Sequence, residues 1–177
     1  MTPTDDDSGA QRLIGFALAL VTFGLDRGFK AWVAGPLALA ERGPIAVTGF
    51  FNLRWTQNLG VSLGLFSASS SEGKLALLAM TGLLALGVFV WMMREKVLGE
   101  LLALALVLGG ALGNIYDRFM RGYVIDYADL HFGEWRPFLI FNLADVAISL
   151  GVLILLARSL ISREKPASGM PSPSETH

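Results

Sequence analysis

Apolar residues are concentrated in four long segments of the chain, and shorter polar stretches separate them. The segments cover residues 13–34, 75–93, 101–116 and 137–157. A helix needs roughly 20 mainly apolar residues to cross about 30 Å of hydrocarbon. The pattern therefore predicts four transmembrane helices in a single membrane-embedded domain, residues 11–163. The predicted spans are about 12–34, 74–94, 97–116 and 138–161.

The segment between the first two spans has a different period. Apolar Phe51, Leu53 and Trp55 alternate with polar neighbours, which indicates a β-strand. Open strand edges cannot face lipid, so this piece must lie outside the hydrocarbon or pack against the helices. Residues 1–10 and 164–177 are expected to be disordered tails, the second because it is rich in Pro, Ser and Gly.

Composition supports a membrane protein and excludes several kinds of chemistry. Of the 177 residues, 53% are hydrophobic and only 16% are charged, against about 25% charged in a soluble domain. The net charge of -1 gives no reason to expect a nucleic-acid partner. The chain has no cysteine, which excludes thiol catalysis. No second histidine lies at ligand spacing from His131, which argues against a metal site, and no Gly-x-Ser-x-Gly elbow is present for a serine triad.

Four spans would place both termini on one side of the membrane. Arg94 and Lys96 in the tight turn after the second span favour a cytoplasmic location for that side. Basic residues also fall on the opposite side, so the count of Lys and Arg alone leaves the orientation open.

Two aspartates are the leading candidates for chemistry. Asp145 begins an otherwise uncharged apolar run, and Asp126 lies in a short apolar stretch of extended character. A carboxylate in or beside hydrocarbon is costly and is a functional candidate for that reason. Two neighbouring carboxylates can share a proton and activate a water for attack on a carbonyl. As alternatives, Asp145 could be a helix cap, and Asp129 or Glu134 could be the partner of Asp126.

Other polar and small residues in the spans allow two interpretations each. Gly109, Gly110 and Gly113 are spaced for close helix packing, which is the preferred interpretation. Asn114, Asp117 and Arg118 would share a face if that helix continues, and they could mark either a site or the membrane interface. Asp26 and Lys30 are spaced for a structural ion pair near the membrane surface.

Five stretches in this order resemble motifs of the lipoprotein signal peptidase family, also called signal peptidase II or prolipoprotein signal peptidase. The resemblance covers about residues 25–161. The matching stretches are LDRGFK at 25–30, NLGVSLG at 58–64, GGALGNIYDR at 109–118, GYVIDY at 122–127 and FNLAD at 141–145. Arg27 replaces the usual Gln and Leu63 the usual Phe.

The resemblance implies an all-α membrane protein with four transmembrane helices, a small extracytoplasmic β-cradle at about 44–66 and a short amphipathic periplasmic helix. It implies that Asp126 and Asp145 are the catalytic aspartates of an aspartic endopeptidase. Around them, Asp26, Asn58, Asn114, Arg118 and Asn142 match polar positions that bind substrate or support the site.

The implied reaction removes the signal peptide of bacterial prolipoproteins on the amino side of a diacylglyceryl-modified cysteine, without metal or cofactor. The implied location is the bacterial inner membrane, with both termini cytoplasmic and the site at the periplasmic face. The expected partners are lipid-modified prolipoproteins and membrane lipid, and the chain is expected to be a monomer. The alternative functions are those of a proton-coupled transporter and of a non-enzymatic membrane scaffold.

Overall fold

Four long helices make up most of the structure, and a small sheet and one short helix accompany them. The computed structural model describes residues 5–60 and 70–163. In chain order the elements are α1 (Asp5–Ala34), α2 (Leu39–Arg42), β1 (Ile45–Ala46), β2 (Phe51–Asn58), α3 (Ser71–Arg94), α4 (Leu98–Arg121), β3 (Val124–Leu130) and α5 (Leu143–Arg163). Helix α2 has only four residues, and the short amphipathic periplasmic helix that the family resemblance implies stays a prediction.

Helix α4 lies at the centre of the bundle because its glycines let neighbouring helices approach closely. A Cβ atom at Gly109 would lie 2.5 Å from the carbonyl oxygen of Ala19 in α1. A Cβ atom at Gly110 would lie 2.5 Å from the carbonyl oxygen of Ala144 in α5. The interpretation of these glycines as a packing seam is therefore confirmed.

Three helices of the described residues are long and apolar enough to cross a membrane. They are Ser71–Arg94, Leu98–Arg121 and Leu143–Ile161, with mean hydropathies of 2.3, 1.8 and 2.0. Helix α1 carries charged side chains near both ends and is not among the three. A four-span arrangement therefore stays a prediction.

The helix ends differ from the predicted boundaries for local reasons. Helix α1 begins at Asp5, so the helix already includes part of the predicted N-terminal tail. Helix α3 begins at Ser71, after Ser70, whose hydroxyl accepts a hydrogen bond from the Gly73 N–H at 3.0 Å. The predicted tail at 164–177 lies outside the described residues.

Helices α4 and α5 show the larger differences. Helix α4 continues past residue 116 to Arg121, and its Asp117 is fully buried and paired with Lys30 of α1. Helix α5 begins at Leu143 and not at 138, because Phe141 is held in an extended conformation beside Ala128 of β3. The Phe141 N–H donates to the Ala128 carbonyl at 3.1 Å, and the Ala128 N–H donates to the Phe141 carbonyl at 2.8 Å.

The sheet is antiparallel with the strand order β1-β2-β3. The alternation in residues 51–56 correctly predicted β2. The predicted cradle at 44–66 contains β1 and β2 but omits β3, and its residues 61–66 lie outside the described residues. The chain enters β3 through Gly122, which adopts a φ of 77° at the end of α4, a conformation that favours glycine.

A small apolar core fixes the sheet to the helices. Its buried residues come from α1, α2 and β3, and side chains of β1 and β2 pack against them. The buried members are Val33, Leu39, Ile125, Tyr127 and Ala128. Because side chains alternate along a strand, the side of β3 that carries Asp126 is opposite to that of Ile125 and Tyr127. The sheet thus holds Asp126 toward the ends of α1, α4 and α5.

The polar ends of three helices meet at one end of the bundle. The C-terminal parts of α1 and α4 and the N-terminus of α5 lie there, beside the sheet. At the other end Gly15 packs against Leu101, and Gly99 packs against Arg158. The N-terminal part of α1 and the C-terminal part of α5 therefore share the end that is remote from the sheet.

Candidate active site

The first turn of α5 is held by side chains that satisfy four backbone N–H groups. Helix N-termini leave such groups without partners inside the helix. The Leu143 N–H donates to the Tyr127 hydroxyl at 3.3 Å, and the Ala144 N–H donates to Oδ1 of Asp26 at 3.1 Å. Asn142 and Asp145 cap each other: the Asp145 N–H donates to Asn142 Oδ1 at 3.0 Å, and the Asn142 N–H donates to Asp145 Oδ2 at 3.1 Å. Side chains of α1 and β3 thus fix where α5 begins.

Asp126 of β3 accepts hydrogen bonds from two asparagines. Asn58 lies diagonally across from it in the β2–β3 ladder, on the same face, and its Nδ2 donates to Asp126 Oδ2 at 2.9 Å. Nδ2 of Asn142 donates to Asp126 Oδ1 at 2.6 Å. Both oxygens of this buried carboxylate are therefore hydrogen-bonded by amides.

Asp145 also accepts two hydrogen bonds, and one of its donors belongs to Asn142. Asn114 Nδ2 donates to Asp145 Oδ1 at 2.8 Å, and the Asn142 N–H donates to Asp145 Oδ2 at 3.1 Å. The structure therefore brings Asp126 and Asp145 together on two sides of one residue, Asn142. The capping alternative for Asp145 is also correct, since this carboxylate both caps α5 and lies beside Asp126.

The rival partners for Asp126 lie in other surroundings. Asp129 is paired with Arg136, whose Nε lies 3.2 Å from its Oδ1. Glu134 is exposed in the turn after β3. Of Asp145, Asp129 and Glu134, Asp145 is the one that accepts a hydrogen bond from the same residue as Asp126, namely Asn142.

The surroundings of Asp126 favour its protonated form. Burial raises the pKa of Asp126 from its ordinary value of 3.8 to about 6, and the negative charge of Asp145 adds to this increase. Hydrogen bonds from Asn58 and Asn142 and the positive charge of Lys30 act in the opposite direction. Burial also raises the pKa of Tyr127 to about 12, so its phenol stays neutral where it caps α5.

A buried lysine connects this pair to a network of charges in the bundle. Lys30 Nζ lies 2.8 Å from Asp26 Oδ2 and 3.0 Å from Asp117 Oδ2, and all three side chains are 0% exposed. The predicted Asp26–Lys30 ion pair is confirmed, and both of its side chains are buried inside the bundle. Lys30 Nζ also donates to Asn114 Oδ1 at 2.9 Å. Since an ammonium group only donates, it fixes the Asn114 amide with its oxygen toward Lys30 and its nitrogen toward Asp145.

Two residues of this network, Lys30 and Asp117, were absent from the predicted site residues. Asp117 is fully buried and also receives hydrogen bonds from Arg27 and Arg121. Its position three residues after Asn114 on α4 was the available signal. The spacing alone did not distinguish this role from that of an interface residue.

Arg118 is the one predicted site residue that has no hydrogen bond or ion pair among the described residues. Its Nε is buried without a partner there. Arg118 and Asn114 line an apolar groove of about 320 Å³ between α3 and α5. A second groove, of about 350 Å³, borders Asp145 on another side of α5 and includes Phe138, Phe141 and Val146. The carboxylate pair thus lies between two apolar grooves.

A metal site has no support in residues 5–60 and 70–163. No group of three or more His, Cys, Asp or Glu side chains in these ranges has the geometry to hold a metal ion. The chemistry that the arrangement can perform is proton transfer between two carboxylates and a water. Amides of Asn58, Asn114 and Asn142 hold both acids in place.

Comparisons with known proteins identify relatives along most of the chain. The family model for signal peptidase (SPase) II matches residues 18–161. A lipoprotein signal peptidase of Rhizorhabdus wittichii is 50% identical over 159 residues, which are 90% of this chain and 92% of the relative. A lipoprotein signal peptidase of Sphingopyxis alaskensis is 49% identical over 160 residues, again 90% of this chain and 92% of the relative. The range matched by the family model includes the carboxylate pair and its hydrogen-bond partners described above, from Asp26 to Asp145.

Solved structures show a similar fold. A bacterial membrane enzyme determined by the in meso method at 2.3 Å resolution superposes with a TM-score of 0.74 at 21% identity. The superposition covers 90% of this chain and 94% of that one. A second bacterial membrane enzyme, determined by the same method at 1.9 Å resolution, gives a TM-score of 0.71 at 24% identity and covers 83% of this chain and 92% of that one.

Proposed function

The chain belongs to the signal peptidase II family, and on that premise we propose that it is a membrane aspartic endopeptidase. It removes the signal peptide of bacterial prolipoproteins by cutting on the amino side of a diacylglyceryl-modified cysteine. The catalytic residues are Asp126 and Asp145. The observation that carries this assignment is the shared donor Asn142, which hydrogen-bonds to both carboxylates.

The two carboxylates hold one proton between them in the reactive state. Asp126, whose pKa is raised to about 6, carries that proton and donates it toward the oxygen of the scissile carbonyl. Ionised Asp145 takes a proton from a water as the water oxygen bonds to the carbonyl carbon. The tetrahedral intermediate then collapses: the bond to the cysteine nitrogen breaks, Asp145 gives its proton to that nitrogen, and a hydroxyl of the intermediate returns its proton to Asp126. The products are the signal peptide with a new carboxylate and a lipoprotein with a new amino terminus.

The neighbouring residues position this pair and the substrate. Asn58, Asn142 and Asn114 fix the carboxylates, and Asp26 anchors the first turn of α5 through the Ala144 N–H. Arg118, with a buried Nε that has no partner among the described residues, can donate to a carbonyl of the bound peptide. The two apolar grooves beside α5 suit the two apolar parts of a prolipoprotein, its signal helix and its acyl chains.

We place this site at the outer face of the bacterial inner membrane. In this arrangement α1 also crosses the membrane, which brings the number of spans to four, and both termini are cytoplasmic. Large apolar side chains on the outside of the bundle support it, such as Leu20 at 69% exposure, Leu83 at 70% and Leu153 at 62%. Soluble proteins rarely expose many large apolar side chains together, whereas helices that face lipid carry them over most of their outer surface. The carboxylate pair lies at the end of the bundle remote from the N-terminal part of α1 and the C-terminal part of α5, which is consistent with this orientation.

Cleavage of a lipidated prolipoprotein by the purified protein tests the proposal. We expect mass spectrometry to detect a mature product whose first residue is the diacylglyceryl-modified cysteine, and the same precursor without lipid to remain uncut. Failure to cut the lipidated precursor, with folded protein in a lipid environment, would contradict the proposal. Ion or solute flux through reconstituted liposomes would instead support the transporter alternative.

A further inference from the structure

A large apolar groove lies away from the carboxylate pair, between α1, α3 and α4. Its volume is about 770 Å³, more than either groove beside α5. We call it the α1–α3–α4 groove. Aromatic and small residues from all three helices line it, among them Phe16, Phe23, Gly82, Phe89, Tyr116 and Phe119. A Cβ atom at Gly82 would meet no atom within 4 Å, so this part of the groove is open.

The length of this groove corresponds to one leaflet of a bilayer. Phe16 and Phe89 are in contact toward one end, where their ring centroids are 6.1 Å apart. Arg27 lies at the other end, one turn beyond Phe23 on α1. At 1.5 Å per residue, the distance along α1 from Phe16 to Arg27 is about 16 Å, roughly half of the 30 Å of hydrocarbon. A lipid chain from one leaflet fits this length, whereas a transmembrane peptide would need the full thickness.

Positive charge is concentrated at the Arg27 end of the groove. The Arg27 guanidinium lies over the Tyr116 ring, 4.2 Å from its centroid. Arg27 and Arg121 both contact the same oxygen of Asp117, and their side chains are 18% and 31% exposed. Together with the buried Asp26 and Lys30, this cluster of ion pairs contains three cations and two carboxylates. Cations therefore outnumber carboxylates by one within this cluster, and the two arginines are its partly exposed members.

We propose that the α1–α3–α4 groove binds an anionic phospholipid. Its acyl chains lie along the apolar lining, and its phosphate accepts hydrogen bonds from Arg27 and Arg121. Guanidinium groups present several N–H donors in a plane and bind phosphate oxygens well. The excess positive charge of this cluster selects an anionic over a zwitterionic headgroup. This inference goes beyond the peptidase activity and does not depend on it.

Lipid retention by the full-length protein tests the proposal. The purified protein in detergent is mixed with phosphatidylglycerol or with phosphatidylcholine of the same acyl chains, and bound lipid is counted by native mass spectrometry. We expect preferential retention of phosphatidylglycerol. Arg27→Gln, which introduces the residue usual in the family and keeps a donor toward Asp117, should weaken that retention about fivefold. Arg94→Gln makes the same charge change beyond the opposite end of the groove, far from Arg27, and should not change the preference for phosphatidylglycerol.

The apolar part of the site has its own matched pair of variants. Gly82→Leu places a side chain in the groove and should reduce retention of both lipids. Gly87→Leu makes the same change on α3 at a position with open space outside the groove, and it should not reduce retention. Equal retention of the two lipids by the wild type would overturn the proposal. It would also be overturned if Arg27→Gln and Arg94→Gln weakened binding to the same extent, since the attraction would then be non-specific. Thermal unfolding of each variant shows that the protein tested is folded.

Discussion

Asp126 and Asp145 take hydrogen bonds from the same residue, one from the side chain of Asn142 and one from its backbone. Asn142 Nδ2 lies 2.6 Å from Asp126 Oδ1, and Asn142 N lies 3.1 Å from Asp145 Oδ2. Because Asn142 immediately precedes α5, the start of this helix sets the separation of the two acids. Geometry that is fixed in this way before substrate arrives is what acid–base catalysis requires.

Replacement of either aspartate by asparagine should abolish cleavage, because the pair could no longer hold one proton and one negative charge. The protein should remain folded. The folded state holds the Asp126 proton more tightly than the unfolded chain does, so ionisation between pH 3.8 and about 6 lowers stability. At pH 7 Asp126→Asn avoids this penalty, which is up to about 3 kcal/mol, but its Nδ2 then faces one of the two asparagine donors. Because the two effects oppose each other, the unfolding temperature should stay near that of the wild type.

Cleavage of a lipidated prolipoprotein and thermal unfolding in detergent check both parts of this prediction. Asp129→Asn is the matched control, because Asp129 is a buried acid paired with Arg136 and not with the proposed dyad. If Asp126→Asn or Asp145→Asn retained near-normal cleavage, the assignment of the catalytic pair would be refuted.

Replacement of Asn142 separates its role as a helix cap from its role as a donor to Asp126. Asn142→Ala loses both the capping oxygen and the Nδ2 donor. This variant should therefore destabilise the protein by about 1 kcal/mol and reduce cleavage. Asn142→Ser keeps a capping oxygen but lacks the Nδ2 donor, so stability should be near that of the wild type while cleavage remains low. Unfolding temperatures and kcat for both variants provide the comparison. Full recovery of kcat in Asn142→Ser would show that only the cap matters.

The pH profile of cleavage should report the raised pKa of Asp126. If Asp126 donates the proton, kcat/KM falls as pH rises above about 6, with an apparent pKa that belongs to the coupled pair. The hydrogen bond from Asn58 lowers the pKa of Asp126, so Asn58→Ala should move this falling limb to higher pH. A shift to lower pH, or no shift, would contradict the assignment of the proton to Asp126.

Loss of the buried charge of Lys30 should destabilise the bundle strongly. Lys30→Met leaves the carboxylates of Asp26 and Asp117 buried without this cation, a change that costs roughly 3–5 kcal/mol for broken buried pairs. The unfolding temperature and the amount of protein in the membrane should both fall. Addition of Asp26→Asn to Lys30→Met removes one unpaired charge and should restore part of the loss. A double variant that is less stable than the single one would argue against direct pairing.

Sequence patterns within single helices and strands predicted much of the fold, whereas contacts between these elements became known only from the structure. Alternation predicted β2, and the i,i+4 spacing predicted the Asp26–Lys30 pair. The run of buried residues in β3 has no alternation, so its role in the sheet was not predicted. The family motifs pointed to Asp126, Asp145 and Asn142, but not to their connection. That connection depends on where β3 meets the end of α5, and sequence spacing does not contain this distance.

The anchored first turn of α5 also sets a rule for the design of inhibitors. Its N–H groups are already occupied by Asp26, Tyr127, Asn142 and Asp145. An inhibitor whose ketone or carboxylate accepted hydrogen bonds from these N–H groups would have to displace the side chains that hold the helix end in place. A secondary alcohol or an ammonium group would instead offer hydrogens to the remaining lone pairs of the two acids. Medicinal chemistry against this enzyme should therefore favour donor groups.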